Sequence, residues 1–185
     1  MKVYQPSKTY QGMMRLFSTD SAWLGLERII PDIIQDFKIP TKLALEFGVD
    51  KGYISSVLSN FFEKVIGVDT FQSDVHTGKR DSKQYEITKN NLKEFSNIEL
   101  VRSSFEEYII NNENHYNLVH IDIVHEYEPT FKCAEWAVMH SDITILHDTE
   151  SFPAIKLVCQ HISGKRNMHF YNYPENNGLG IILKI

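Results

Sequence analysis

Four residues in two short strings could do proton and charge chemistry together: Asp122 and His125 in Ile121-Asp122-Ile123-Val124-His125, and His147 and Asp148 in Ile145-Leu146-His147-Asp148-Thr149. Each string closes an apolar run that reads as a strand, so the four side chains are expected at neighbouring strand ends. A histidine titrates near neutrality and can take the proton of a hydroxyl. Two carboxylates side by side can instead hold a hard cation through oxygen. His120 shares the strand face of Asp122 by alternation, which suits a histidine hydrogen-bonded beneath a helix. His76, His115, His140, His161 and His169 fall at loops or helix surfaces, no Cys/His grouping has zinc spacing, and no Gly-x-Ser-x-Gly string occurs.

A second group of residues would bind rather than react. Leu43-Ala44-Leu45-Glu46-Phe47-Gly48-Val49-Asp50-Lys51-Gly52-Tyr53 is an apolar strand ending in an acid, then a Gly-x-x-x-Gly turn, then a helix start. Glycine admits backbone conformations and a ligand approach that a Cβ would block. Asp69 ends the next strand 17 positions beyond Gly52, where an acid can take ribose hydroxyls. Asp50 occupies the middle-glycine position of Gly-x-Gly-x-x-Gly, and a carboxylate there repels the pyrophosphate of a dinucleotide. A phosphate-free cofactor with a cationic end suits Asp50 and Glu46 instead. No Gly-x-x-x-x-Gly-Lys-[Ser/Thr] string is present.

The elements that must position these groups alternate. Strands are expected at 42–47, 64–69, 98–102, 116–122 and 142–147, with helices at 53–62, 83–95, 105–111, 128–140 and 154–162 between and after them. This is the βαβα pattern of a parallel sheet. Runs such as Leu118-Val119-His120-Ile121 are too continuously apolar for a sheet with one wet face, so helices must cover both. Segments 168–173 and 179–185 read as two more strands. The short link Pro174-Glu175-Asn176-Asn177-Gly178 cannot hold a crossover helix, so they pair antiparallel. The expected fold is α/β, a seven-stranded, mostly parallel sheet with a C-terminal antiparallel hairpin. Segment 20–37 reads as helical, with Pro31 ending one helix or starting the next. Residues 1–41 are therefore an edge or cap segment on one domain, 42–185. The polar loop 70–82 could be a lid or plain surface, and Tyr171, Tyr173 and Asn176 could meet a substrate.

A chain of 185 residues with a net charge of −5 is one domain's worth with no basic footprint for nucleic acid or an anionic membrane. Cys133 and Cys159 lack paired spacing and read as buried apolar residues of a reducing, cytoplasmic compartment. No apolar run approaches a membrane span.

The two glycine-turn strands resemble the first two motifs of class I S-adenosylmethionine-dependent methyltransferases, and residues 40–185 resemble their seven-stranded Rossmann-like fold. The resemblance implies that Glu46, Gly48, Val49, Asp50, Gly52 and Tyr53 hold the methionine part. It implies that Asp69 and Thr70 hold the ribose, that Ser103, Ser104 and Phe105 lie by the adenine, and that Asp122 touches cofactor. Family members often have an acid near Ser103, which is missing here. The strings Ile121-Asp122-x-x-His125-x-Tyr127-Glu128 and His147-Asp148-Thr149 resemble a subgroup related to macrocin O-methyltransferase and the cephalosporin hydroxylase proteins. That resemblance implies methyl transfer to a small-molecule hydroxyl, on a sugar or secondary metabolite, with His125, His147 and Asp148 as catalytic residues. Metal-dependent relatives bind Mg²⁺ through acids after the fourth and fifth strands, here Asp122 and Asp148. This chain has Val124 where many relatives have a second acid, and Thr149 where catechol-type enzymes have Asn. The alternatives are a catalytically silent binding module on the same fold and hydroxylase-like chemistry on the same scaffold. The short N-terminal segment supplies little pocket wall, which a second subunit of a homo-oligomer could complete.

Overall fold

The computed structural model describes residues 1–17, 21, 24–72 and 83–184. Most of the expected lid loop, 73–82, and part of the expected N-terminal helix lie outside the described residues. The described elements, in chain order, are β1 (Lys2–Val3), α1 (Ile29–Asp36), β2 (Leu43–Phe47), α2 (Tyr53–Leu58), β3 (Lys64–Asp69), α3 (Gln84–Asn91), β4 (Ile98–Arg102), α4 (Phe105–Ile109), β5 (Tyr116–Ile121), α5 (Tyr127–Met139), β6 (Ser141–His147), α6 (Pro153–Arg166), β7 (His169–Tyr173) and β8 (Leu179–Leu183).

Eight strands form one sheet in the order β1-β7-β8-β6-β5-β2-β3-β4. β8 pairs antiparallel with both β6 and β7, and every other pair is parallel. The hairpin is where the short 174–178 link requires it. The eighth strand is an addition: Lys2–Val3 lies parallel to β7 at the sheet edge, a pairing too short to show any sequence period. Pro31 sits in the first turn of α1, where the missing N–H would have no partner in any case.

Alternation divides the core in two. Ala44, Val65, Leu118, Ile143, Ile145, Leu179 and Ile181 face α1 and α2 with Ile30, Ile33, Ile54 and Val57. Leu45, Phe47, Ile66, Val119, Ile121 and Leu146 face the other side, with Phe105 of α4, Ala134 and Val138 of α5, and Ile155 and Val158 of α6. Both cysteines are buried and free. Among the described residues, no helix is long and apolar enough to cross a membrane.

The crossovers run outward from β2 to β3 and β4, then return to place β5 on the other side of β2. That reversal is the topological switch point of the sheet, and the carboxyl ends of its strands are where such sheets bind ligands.

Candidate active site

Gly48 follows β2 with φ +88°, the left-handed region that L side chains rarely enter. Its backbone N–H donates to the Val68 carbonyl at 3.0 Å, and the Asp122 N–H donates to the Phe47 carbonyl at 2.8 Å. A Cβ on Gly48 would lie 1.8 Å from the Asp122 carbonyl oxygen, so β2 and β5 can come this close only with glycine between them. Gly52, φ +93°, caps α2, and a Cβ there would press on Leu92 at 2.6 Å.

Asp69 anchors this turn. One carboxylate oxygen accepts the backbone N–H groups of Val49 and Asp50, each at 2.9 Å, and the other accepts that of Phe71 at 2.6 Å. The acid at the end of β3 therefore holds the glycine turn in shape as well as facing the cavity. Asp69→Ala leaves these amides without their acceptor and is expected to lower unfolding stability by about 2–3 kcal/mol, read as a shift of the urea midpoint.

A cavity of about 390 Å³ opens beyond the ends of β2 to β6, within the range usual for small-molecule sites. Of the residues expected at the cofactor, Gly48, Asp50, Asp69, Thr70, Ser103, Ser104, Phe105 and Asp122 line it, as do His125, His147 and Asp148. Glu46, Val49, Gly52 and Tyr53, also expected at the cofactor, are not among the residues that line it. Val49 is buried against Gly67, and Tyr53 packs into the α1–α2 core. Glu46 is 1% exposed; alternation turns it with Ala44 toward α2 and away from the opening. There it accepts the Ser55 hydroxyl and lies 3.4 Å from Nδ1 of His120, itself fully buried. Burial pushes the Glu46 carboxyl up, against the hydrogen bonds of His120 and Ser55. The lining also includes Phe47, Glu106, Ile123, Val124 and Pro129, which spacing did not single out. Glu106 stands three positions after Ser103 and brings an acid to that part of the lining.

One end of the cavity holds a cluster of two acids and two histidines. His125 Nε2 is 2.7 Å from Asp148 Oδ2 and 3.3 Å from Asp122 Oδ1. His147 Nδ1 lies 3.2 Å from Asp122 Oδ2 and 3.4 Å from Asp148 Oδ2, with its ring almost wholly buried. Burial alone would lower the His125 pKa, but hydrogen bonds to Asp122 and Asp148 outweigh it and raise the imidazole to about 9. At neutral pH His125 is therefore an imidazolium between two carboxylates, a donor rather than a free base. Burial would raise Asp122, yet its hydrogen bonds with His125 and His147 hold it well below the usual carboxylate range. The His125 ring stacks on Phe152 at 4.2 Å and 11°, and the Thr130 hydroxyl donates to the Val124 carbonyl at 3.0 Å, fixing the loop that carries it.

Asp148 has φ +66°, a left-handed conformation that costs a non-glycine residue about 1–2 kcal/mol. Thr149 is turned away from the cluster: its hydroxyl donates to Asn172 at 2.7 Å. Tyr171 and Tyr173, expected near a substrate, pack against Phe37 and Tyr4 respectively on the α1 face.

No family model and no curated protein matches the chain. Solved structures do match its fold. The O-methyltransferase from Bacillus cereus in complex with SAH aligns with a TM-score of 0.65 and 12% identity, over 92% of this chain and 84% of that one. The fold is that of the class I methyltransferases. The SAH-bound Podospora anserina methyltransferase gives a TM-score of 0.67 at 11% identity over 86% of this chain and 78% of that one. An rRNA methylase from Streptococcus thermophilus gives 0.59 at 14% identity over 84% and 96% respectively. The methyltransferase fold thus accounts for nearly the whole chain, while its neighbours are described with different substrates.

Proposed function

We propose that the chain transfers a methyl group from S-adenosylmethionine to a hydroxyl of a small molecule. One observation carries the reading: Asp50, Asp69, Glu106, Asp122 and Asp148 line the cavity, with no lysine or arginine among the described lining residues. Such a wall repels phosphate and favours a ligand bearing a sulfonium and an ammonium group. The same charge disfavours nucleic acid and phosphate-bearing acceptors, and points to an uncharged or cationic one. Within this reading, the strings around Asp122 and His147 support the subgroup related to macrocin O-methyltransferase.

S-adenosylmethionine supplies a methyl group already activated on sulfur, so the protein has only to align the acceptor and manage its proton. Asp69 with Thr70 suits the ribose, Phe105 with Glu106 the base, and Gly48 leaves room for close approach of the backbone. At the other end Asp122 and Asp148 accept the hydrogen bond of the acceptor hydroxyl. As the O–CH3 bond forms the S–CH3 bond breaks, S-adenosylhomocysteine leaves, and the hydroxyl proton passes to one of the two carboxylates, because His125 already carries its own. His125 holds the two carboxylates together, and His147 braces both from beneath.

The cluster also suits a divalent cation. Asp122, His125 and Asp148 each bring a donor atom within 4.8 Å of the others, two oxygens as Mg²⁺ prefers and an imidazole that broadens the choice. A cation there would lower the pKa of a bound hydroxyl. The third donor would be His125, with its imidazole in the neutral form that a cation requires.

Thermal unfolding with added ligand tests the cofactor. S-adenosylmethionine and S-adenosylhomocysteine are expected to stabilise the chain, by ~2.7 kcal/mol at one hundred times the dissociation constant, and NAD to leave the midpoint unchanged. Stabilisation by NAD and not by the adenosyl compounds would overturn the proposal. A screen of hydroxyl compounds with radiolabelled methyl donor then finds the acceptor.

A further inference from the structure

We infer that Asn172, on β7, is a positioning residue that holds Asp148 in place through a hydrogen-bonded clasp on the loop after β6. The inference rests on Asp148 belonging to the reactive cluster, as proposed above. Asp148 adopts a left-handed backbone, φ +66°, which contacts around it must help to hold. The two residues that follow it are tied down from the other side of the hairpin. Thr149, 1% exposed, donates its hydroxyl to Asn172 Oδ1 at 2.7 Å. Asn172 donates in turn from Nδ2 to Glu150 Oε1 at 2.7 Å, and the Glu150 backbone N–H donates to the Asn177 carbonyl at 2.8 Å. Gly178 leaves room for the clasp, since a Cβ there would stand 2.4 Å from Thr149 Oγ1 and 2.6 Å from the Glu150 nitrogen. The loop closes where Phe152 N–H donates to the Asp148 carbonyl at 2.9 Å.

Both partners of the central ion pair therefore depend on this loop: Asp148 lies in it, and the Phe152 ring that stacks on His125 at 4.2 Å ends it. Asn172 is 3% exposed and shares its strand face with the core residue Phe170. An apolar side chain would be the ordinary choice at such a position. The amide offers an acceptor to Thr149 and a donor to Glu150 at once. Aspartate in its place would set a carboxylate against Glu150, and leucine would leave the Thr149 hydroxyl buried without its acceptor.

The test needs no ligand. Long-range ¹H–¹⁵N spectra of the imidazoles, with the His125 signals assigned by their loss in His125→Gln, report the surroundings of that ring at one fixed pH. Asn172→Asp and Thr149→Val are expected to shift both ring nitrogens of His125, whereas Thr149→Ser, which keeps the hydroxyl, leaves them in place. Should Asn172→Asp fail to fold, Thr149→Val, which removes a single hydroxyl, decides the matter. Unchanged His125 resonances in a folded clasp variant, whatever happens to its melting temperature, would reduce the clasp to a stabilising contact and overturn the inference. Calorimetric titration of S-adenosylmethionine into the same variants keeps the two proposals apart. Absence of binding in the parent protein counts against the methyl-transfer reading alone, while the imidazole shifts still judge the clasp.

Discussion

Gly48→Ala is expected to destabilise the chain by about 4 kcal/mol, the high end for a single substitution. Two costs meet at this residue. A side chain at φ +88° costs about 1–2 kcal/mol in backbone conformation, and the added Cβ would sit 1.8 Å from the Asp122 carbonyl oxygen. The obstacle is backbone, so no rotamer change relieves it; β2 and β5 must separate, which adds a packing cost of about 1–3 kcal/mol or more. For a chain of this size that corresponds to a fall in melting temperature of roughly 10 °C. Gly164 is the control: it lies within α6, and a Cβ added there would meet nothing within 4 Å. Gly164→Ala should instead stabilise by about 0.5–1 kcal/mol through helix propensity. If the Gly48 variant melts with the parent protein, the close approach of the two strands at the switch point is wrong.

His125→Gln is expected to reduce methyl transfer by about 10²–10⁴-fold, the span associated with losing a positioned acid–base group. The imidazolium lies between Asp122 and Asp148 and reaches both, at 3.3 and 2.7 Å. Without it the carboxylates repel each other and the acceptor hydroxyl loses its fixed partners. Affinity for S-adenosylmethionine should change by no more than about threefold, because a residue that holds the carboxylates against the acceptor hydroxyl contributes mainly to the transition state. Labelled-donor turnover on an acceptor from the screen, paired with calorimetric cofactor binding, measures both. Turnover within about threefold of the parent protein would remove His125 from the chemistry.

Much of the scaffold was legible because it is encoded locally. Apolar runs with turn residues between them mark β2 to β6, and the five-residue link before β8 is too short for anything but a hairpin. The glycine turn, Asp69 and the two acid–histidine strings all occur at strand ends, and parallel strands bring those ends to one edge of the sheet. Asp122, His125, His147 and Asp148 meet for that reason. β1 escaped notice because two residues carry no period.

What spacing could not decide was the direction in which side chains point and the distance between elements. Glu46 and Asp69 both end strands, yet alternation turns Glu46 under the sheet to Ser55 and His120, while Asp69 stays at the opening and holds the turn. Thr149 faces Asn172, away from the cluster, and His125 lies between the two aspartates. The protonation of His125 likewise depends on two carboxylates from different loops. Sequence alone determined the parallel sheet, its reversed last hairpin and the edge on which chemistry could occur, because each follows from the order and length of neighbouring segments. The tertiary structure decided which acids face the cavity, which histidine carries the charge and which distant residue clasps Asp148, because these depend on contacts between residues 20 or more positions apart in the chain.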